Sequence, residues 1–217
     1  MKSNLFLRVI SVLFFLFGIS EAMAIPVSSE DAVLWAKKNG QHLMDTFREK
    51  DFVKKYNELD AIFDQYIDSE YVAKFVVGKY WRMMNKEQQS RYVSIFNRYV
   101  KALYKTFPLD FVNRLKYEVK TAFIDGNFTV VNVIVNMNID SDAPLKEYLL
   151  SFRLHQTAKG IQLVDIKVGE SSLLLSYRRK FYEQIISLEE EIEWFLEDLE
   201  DMAKSAERKN QAKMNQY

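Results

Sequence analysis

Apolar residues recur at helical spacing through the first half of the chain and then switch to strict alternation. The strongest helical signal lies at residues 68–107. Asp68 and Ser69 suit an N-cap, and Tyr71, Val72, Phe75, Val76 and Val77 follow at helical positions. Gly78 loosens this helix, and Lys79-Tyr80-Trp81-Arg82-Met83-Met84 leads out of it. Asn85 with Gln88 three residues on has the form of a capping box. Behind it Tyr92, Phe96, Tyr99, Val100, Leu103 and Phe107 form an apolar stripe. Pro108 ends the run, because the residue before a proline resists the helical region. Two helices meeting at Tyr80-Trp81 must bury that aromatic surface against the rest of the chain or against a ligand. Two earlier helices are predicted. The first is capped by Ser28 or Ser29 and buries Val33, Ala36, Leu43, Met44 and Phe47, with Gly40 as a bend. The second, over 51–66, carries Phe52, Tyr56, Leu59, Ile62 and Phe63.

From Leu115 the period becomes two. Residues 116–123 read as a strand and Asp125-Gly126 as a hairpin turn, followed by a strand over 128–139. Val131, Val133, Val135, Met137 and Ile139 share one face; Asn132, Ile134, Asn136 and Asn138 share the other. Residues 140–144 form a loop. The third strand, 147–155, carries Tyr148, Leu150, Phe152 and Leu154 on one face, and Lys159-Gly160 turns it into a fourth over 161–168. The expected fold is α+β: a four-stranded antiparallel meander packed against an N-terminal helical layer, with a long C-terminal helix.

That last helix is predicted over 172–208. Phe181, Ile185, Leu188, Ile192, Phe195, Leu199, Met202 and Ala206 keep alternating spacings of four and three, a heptad seam. Such a seam either lies along its own domain or pairs with another chain in helix-mediated self-association. The acidic half, 189–201, is the part suited to pairing. The tail after Arg208 is polar and frays.

Length points to one domain with appendages: residues 1–24 as a signal peptide, 25–187 as the folded domain, and 188–217 as an acidic helical extension and tail. Lys2 and Arg8 precede an apolar run over 9–19, and Ala22-Met23-Ala24 is a small-x-small cleavage site before Ile25. The alternative is an uncleaved anchor, for which the run falls short of the ~20 residues of a spanning helix. Thirty basic residues balance 30 acidic ones, which removes the global electrostatic case for nucleic acid. With no cysteine there is no disulfide, thiolate metal site, thiol nucleophile or lipoprotein anchor.

Catalytic signals are sparse. His42 and His155 are the two histidines, and they fall in different elements. No His/Asp/Glu group has metal-ligand spacing, and no nucleophile elbow or phosphate loop is present. Glu189-Glu190-Glu191 reads as a solvated helix face. Asp165, between Val164 and Ile166, reads as a partly buried carboxylate hydrogen-bonded to backbone. A binding protein without catalysis, cofactor or metal is the expectation, and an exported hydrolase is the least supported class.

Val77-Gly78-Lys79-Tyr80-Trp81-Arg82, then Gln88, Phe96 and Leu103-Tyr104, resembles the MlaC / toluene-tolerance family. Asp165, Ser172-Leu173-Leu174, Tyr177-Arg178 and Phe181 extend the resemblance, which spans about residues 59–181. Two departures stand out. Glu170 holds a position where the family usually has glycine, with Gly169 one residue earlier. The acidic C-terminal helix is also longer than the family pattern. The resemblance implies a soluble periplasmic carrier of phospholipid, or of a hopanoid-related lipid. It would shuttle lipid between an outer-membrane lipoprotein/porin complex and an inner-membrane ABC transporter complex. Each acyl methylene left in water costs roughly 0.8 kcal/mol, so such a carrier must hide both tails. That needs a cavity on the order of 1,000 Å³. The implied lining is Tyr80, Trp81, Phe96, Val100, Leu103, Val133, Val135, Leu150, Phe152, Val164 and Ile166, with Tyr80 and Trp81 at a half-wet mouth. Plain core packing is the alternative for each. The competing reading is an exported partner-binding protein that uses its heptad helix and has no lipid cavity.

Overall fold

The computed structural model describes residues 24–105, 115–137 and 146–215. The residues up to Met23, where a signal peptide is expected, and Phe107, Pro108, Asn138, Ile139 and 140–144 lie outside the described residues.

Each N-terminal helix starts where a short polar side chain can take up a free amide. Ser28 accepts from Asp31 N and opens α1, Ser29–Arg48; Asp51 accepts from Lys54 N and opens α2, Phe52–Tyr66; Asp68 accepts from Tyr71 N and opens α3, Ser69–Val77. A 3₁₀ turn, Gly78–Arg82, follows. Gly78 sits at φ +49, with the Tyr182 hydroxyl and the Arg178 guanidinium where a Cβ would stand. Only glycine fits both the backbone and that approach. The expected capping box is present: Gln88 N donates to Asn85 Oδ1 (2.9 Å) and Asn85 N to Gln88 Oε1 (3.0 Å). It opens α4, Lys86–Lys105.

The sheet is an antiparallel meander of five strands in sequence order: β1 Lys116–Asp125, β2 Phe128–Met137, β3 Lys146–Thr157, β4 Gly160–Val168 and β5 Ser171–Ser172. The expected count of four missed β5. Gly169, at φ +57, reverses the chain at once, so Ser171 and Ser172 pair back onto Val168 and Lys167. The α+β class stands.

The single helix expected over 172–208 is two helices, α5 Leu173–Ser187 and α6 Ile192–Met214. The break falls at Glu189 and Glu190, whose φ of 56° and 61° are left-handed and incompatible with a continuous helix. The heptad seam is thereby folded onto its own chain. Phe181 and Phe195 meet edge-to-face at 5.5 Å, and Ile185, Leu196, Leu199 and Ala203 are fully buried with Tyr92 and Phe96 of α4. Arg98 on α4 forks to Glu200 and Glu207 on α6, and Asn210 donates to the Ala102 carbonyl. α6 therefore packs back on α4 and α5, and the seam lies along its own domain, the first of the two arrangements the sequence left open.

Two cores result. One joins α3, the 3₁₀ turn, α4, α5 and α6; the other joins α1 to the dry face of the sheet through Ala32, Ala36, Val131, Val133, Val135 and Leu154. Among the described residues no helix is long and apolar enough to cross a membrane.

Candidate functional site

The two cores do not close on each other everywhere. A cavity of about 250 Å³ lies between α1 and α2 on one side and β3 and β4 on the other. Trp35, Leu43 and Phe47 of α1, Leu59, Ile62, Phe63 and Tyr66 of α2, and Phe152, Leu163 and Ile166 of the sheet line it. A second cavity of about 380 Å³ is framed by Val72 and Val76 of α3, Phe96, Val100, Leu103 and Tyr104 of α4, Val164 and Ile166 of β4, and Leu173, Leu174 and Tyr177 of α5. Phe63, Ile67, Tyr104, Leu163 and Ile166 line both, so the two are lobes of one cleft with a shared partition.

A bulge explains how one strand supplies so much of the wall. Arg153 pairs with Asp165 and Leu154 with Leu163, which leaves Val164 as the extra residue. Leu163, Val164 and Ile166 consequently all reach the cleft, where strict alternation would turn one of them away.

Two of the polar groups in the wall are already engaged. The Tyr104 hydroxyl lies 3.0 Å from both the Leu59 carbonyl and Asp60 Oδ1. Burial first, and the Asp60 charge second, push its pKa far above the phenol range, so it stays neutral. Its ring stacks on Phe63 at 5.9 Å with its apolar body turned to the cleft. Asp165 accepts from Ser172 Oγ (2.7 Å) and Leu174 N (3.0 Å). This matches the expectation of a carboxylate spent on backbone. The lining is therefore mostly hydrocarbon, with Trp35, Asn39, Tyr66 and Tyr177 as its other side chains that carry a polar atom, which suits holding an apolar molecule.

The histidines lie elsewhere. His42 Nε2 is 2.8 Å from Glu58. His155 Nε2 is 2.9 Å from Asp68 Oδ2 but off the line of a hydrogen bond, and its ring lies between Tyr71 and Phe128.

Of the eleven residues expected to line a ligand site, Phe96, Val100, Leu103 and Val164 face the second lobe, Phe152 the first, and Ile166 both. The other five line neither. Tyr80 is fully buried in the 3₁₀ turn, donating to Glu190 at 2.7 Å, and Trp81 packs beside Tyr92. They hold the helical core and stand at no mouth. Val133 and Val135 lie beneath α1, and Leu150 packs at the edge of the same core. Sequence reasoning missed Trp35, Phe63, Tyr66, Tyr104 and Leu174. The α1 and α2 stripes were visible, but nothing in them distinguished a helix resting on the sheet from one standing off it. The two lobes also enclose less space than the ~1,000 Å³ expected for two tails.

Residues 37–201 match the MlaC protein family, and the match takes in both lobes except for Trp35 and Ala36 of the first. No curated protein matches the chain. The fold is similar to that of a phospholipid-binding protein from Ralstonia solanacearum solved in complex with a phospholipid. The likeness has a TM-score of 0.61 at 15% identity and covers 81% of this chain and 97% of that one. A family match over well more than half the chain, on a meander backed by helices with an apolar cleft between them, settles its membership: this chain belongs to the MlaC family.

Proposed function

We propose that this protein is a periplasmic phospholipid carrier that binds without catalysis. The observation that carries the reading is the two-lobed cleft, whose walls are almost entirely hydrocarbon and whose buried polar groups Tyr104 and Asp165 are already hydrogen-bonded. Transferring acyl methylenes into such a space is favourable by about 0.8 kcal/mol each. The cleft then serves the tails, and side chains along the partition move apart to admit them. The complex of the Ralstonia relative with a phospholipid supports the ligand class. The apolar run behind Lys2 and Arg8 supports export. The carrier would load and unload at an outer-membrane lipoprotein/porin complex and an inner-membrane ABC transporter complex.

The test is organic extraction of the purified mature protein followed by mass spectrometry. Phospholipid at a stoichiometry near one or more per chain is expected. Protein that carries no lipid, and takes none up from phospholipid vesicles after delipidation, would overturn the proposal.

A further inference from the structure

We infer that the hollow between α1 and the β3–β4 turn receives the phosphodiester of the bound lipid, through Lys38 and Lys159. The inference rests on the reading of the apolar cleft as a lipid site.

The hollow encloses about 510 Å³ and shares Trp35, Asn39 and Tyr66 with the first apolar lobe. It is the polar continuation of that lobe. Trp35 and Tyr66 meet edge-to-face at 5.8 Å on the boundary. Aromatic rings with one polar atom suit such a seam between oil and water. Beyond them the lining turns to amides and charge, with Lys38, Asn39, Gln65, Gln156 and Lys159 facing Asp31.

Trp35, Lys38 and Asn39 share one face of α1 by their spacing of three and four. Across from them, Lys159 stands on a turn fixed by Thr157. The Thr157 hydroxyl accepts from Lys159 N at 3.0 Å and is 3.0 Å from the Gly160 carbonyl. Neither ammonium makes a hydrogen bond or close ion pair among the described residues, although the Lys159 charge reaches Asp68. The acid of the hollow, Asp31, is engaged with Ser28 Oγ at 2.7 Å. Two uncommitted cations therefore sit at the wet end of the first apolar lobe, where an anionic phosphate between tail and solvent would lie.

The experiment uses the delipidated full mature chain and its K38Q/K159Q variant. Each is incubated with dioleoyl phosphatidylglycerol vesicles doped with dioleoylglycerol, and bound lipid is measured by mass spectrometry. Both lipids present the same tails, and only one carries a phosphate. The expected result is a preference for the phospholipid in the wild type that falls about three- to tenfold in the variant, with dioleoylglycerol binding retained. A preference equal in both proteins would overturn the headgroup assignment and leave the tail site intact. Binding of neither lipid by the wild type would overturn the carrier reading and this inference with it. Inorganic phosphate binding to lipid-free wild type at the affinity of the phospholipid would mark a free-anion site and also overturn it.

Discussion

The backbone amide of Leu174 donates a 3.0 Å hydrogen bond to the side-chain carboxylate of Asp165, tying the first turn of α5 to strand β4. Ser172 completes the joint. Its hydroxyl donates to the other carboxylate oxygen at 2.7 Å and accepts from Leu175 N at 3.0 Å. The negative charge also faces the positive end of the α5 dipole. Asp165 and Leu174 both line the second lobe, so the joint sets the spacing of that wall. Asp165→Ala leaves a buried amide and a buried hydroxyl without their acceptor and should cost about 2–3 kcal/mol in urea unfolding. Asp165→Asn keeps one acceptor and should cost clearly less. Equal costs would mean that the carboxylate acts by filling space alone.

Ile166 belongs to the partition between the lobes, so enlarging it should affect both. Ile166→Trp is expected to cut co-purifying phospholipid severalfold, with a stability loss of about 1–3 kcal/mol from overpacking. Trp81→Phe is the paired control: Trp81 lines neither lobe, and lipid content should stay at the wild-type level. Loss of lipid in Trp81→Phe with Ile166→Trp unaffected would return the ligand site to the aromatic turn.

These two residues show what the sequence made legible. Period-two alternation located β2, β3 and β4, and the polar caps at Ser28, Asp68 and Asn85 located helix starts, because those signals are local. The bulge at Val164 and the turn at Glu189-Glu190 are not local in the same sense. Each is a backbone choice imposed by what packs on it, and an unbroken heptad pattern ran straight through the second. Tyr80 and Trp81 read as a site because aromatic pairs serve cores and ligands alike. Only the packing around them decides between the two uses, and here Tyr80 is buried against Tyr182 and Glu190 while Trp81 is half-buried beside Tyr92. The cleft itself is a gap between two cores, and no stripe on one helix encodes a distance to the next.

The contact between His155 and Asp68 bears on acid stability. Burial alone would raise the Asp68 carboxyl. His155 at 2.9 Å and the Tyr71 amide at 3.0 Å outweigh it, and the pKa is held below its usual value. A carboxyl whose pKa is lower folded than unfolded stabilises the protein above the unfolded value, about 3.9, and loses that contribution as pH falls through the folded one. The stability gap between wild type and Asp68→Asn should therefore narrow as pH drops from about 5 to 2. Urea titrations across that range measure it. A gap that stays constant to the acid end would mean that Asp68 serves only as the cap of α3.

The turn between α5 and α6 sets two neighbouring glutamates in left-handed backbone, and among the described residues only Glu190 has a side-chain hydrogen bond to offset it. Glu189 is exposed at φ 56°, a conformation that costs a non-glycine residue roughly 1–2 kcal/mol. Glycine removes that cost while losing about 0.5–1 kcal/mol of chain entropy. Glu189→Gly should therefore raise stability, by roughly 0.5–1 kcal/mol. Glu190, at φ 61°, accepts from the Tyr80 hydroxyl at 2.7 Å and lies 3.1 Å from Lys79 Nζ. Adding Glu190→Gly relieves the same backbone but strands a buried phenol, so the double variant should melt below Glu189→Gly alone. Differential scanning calorimetry of the three proteins gives the order directly. A double variant more stable than the single one would show that backbone relief outweighs the hydrogen bond joining this turn to Tyr80.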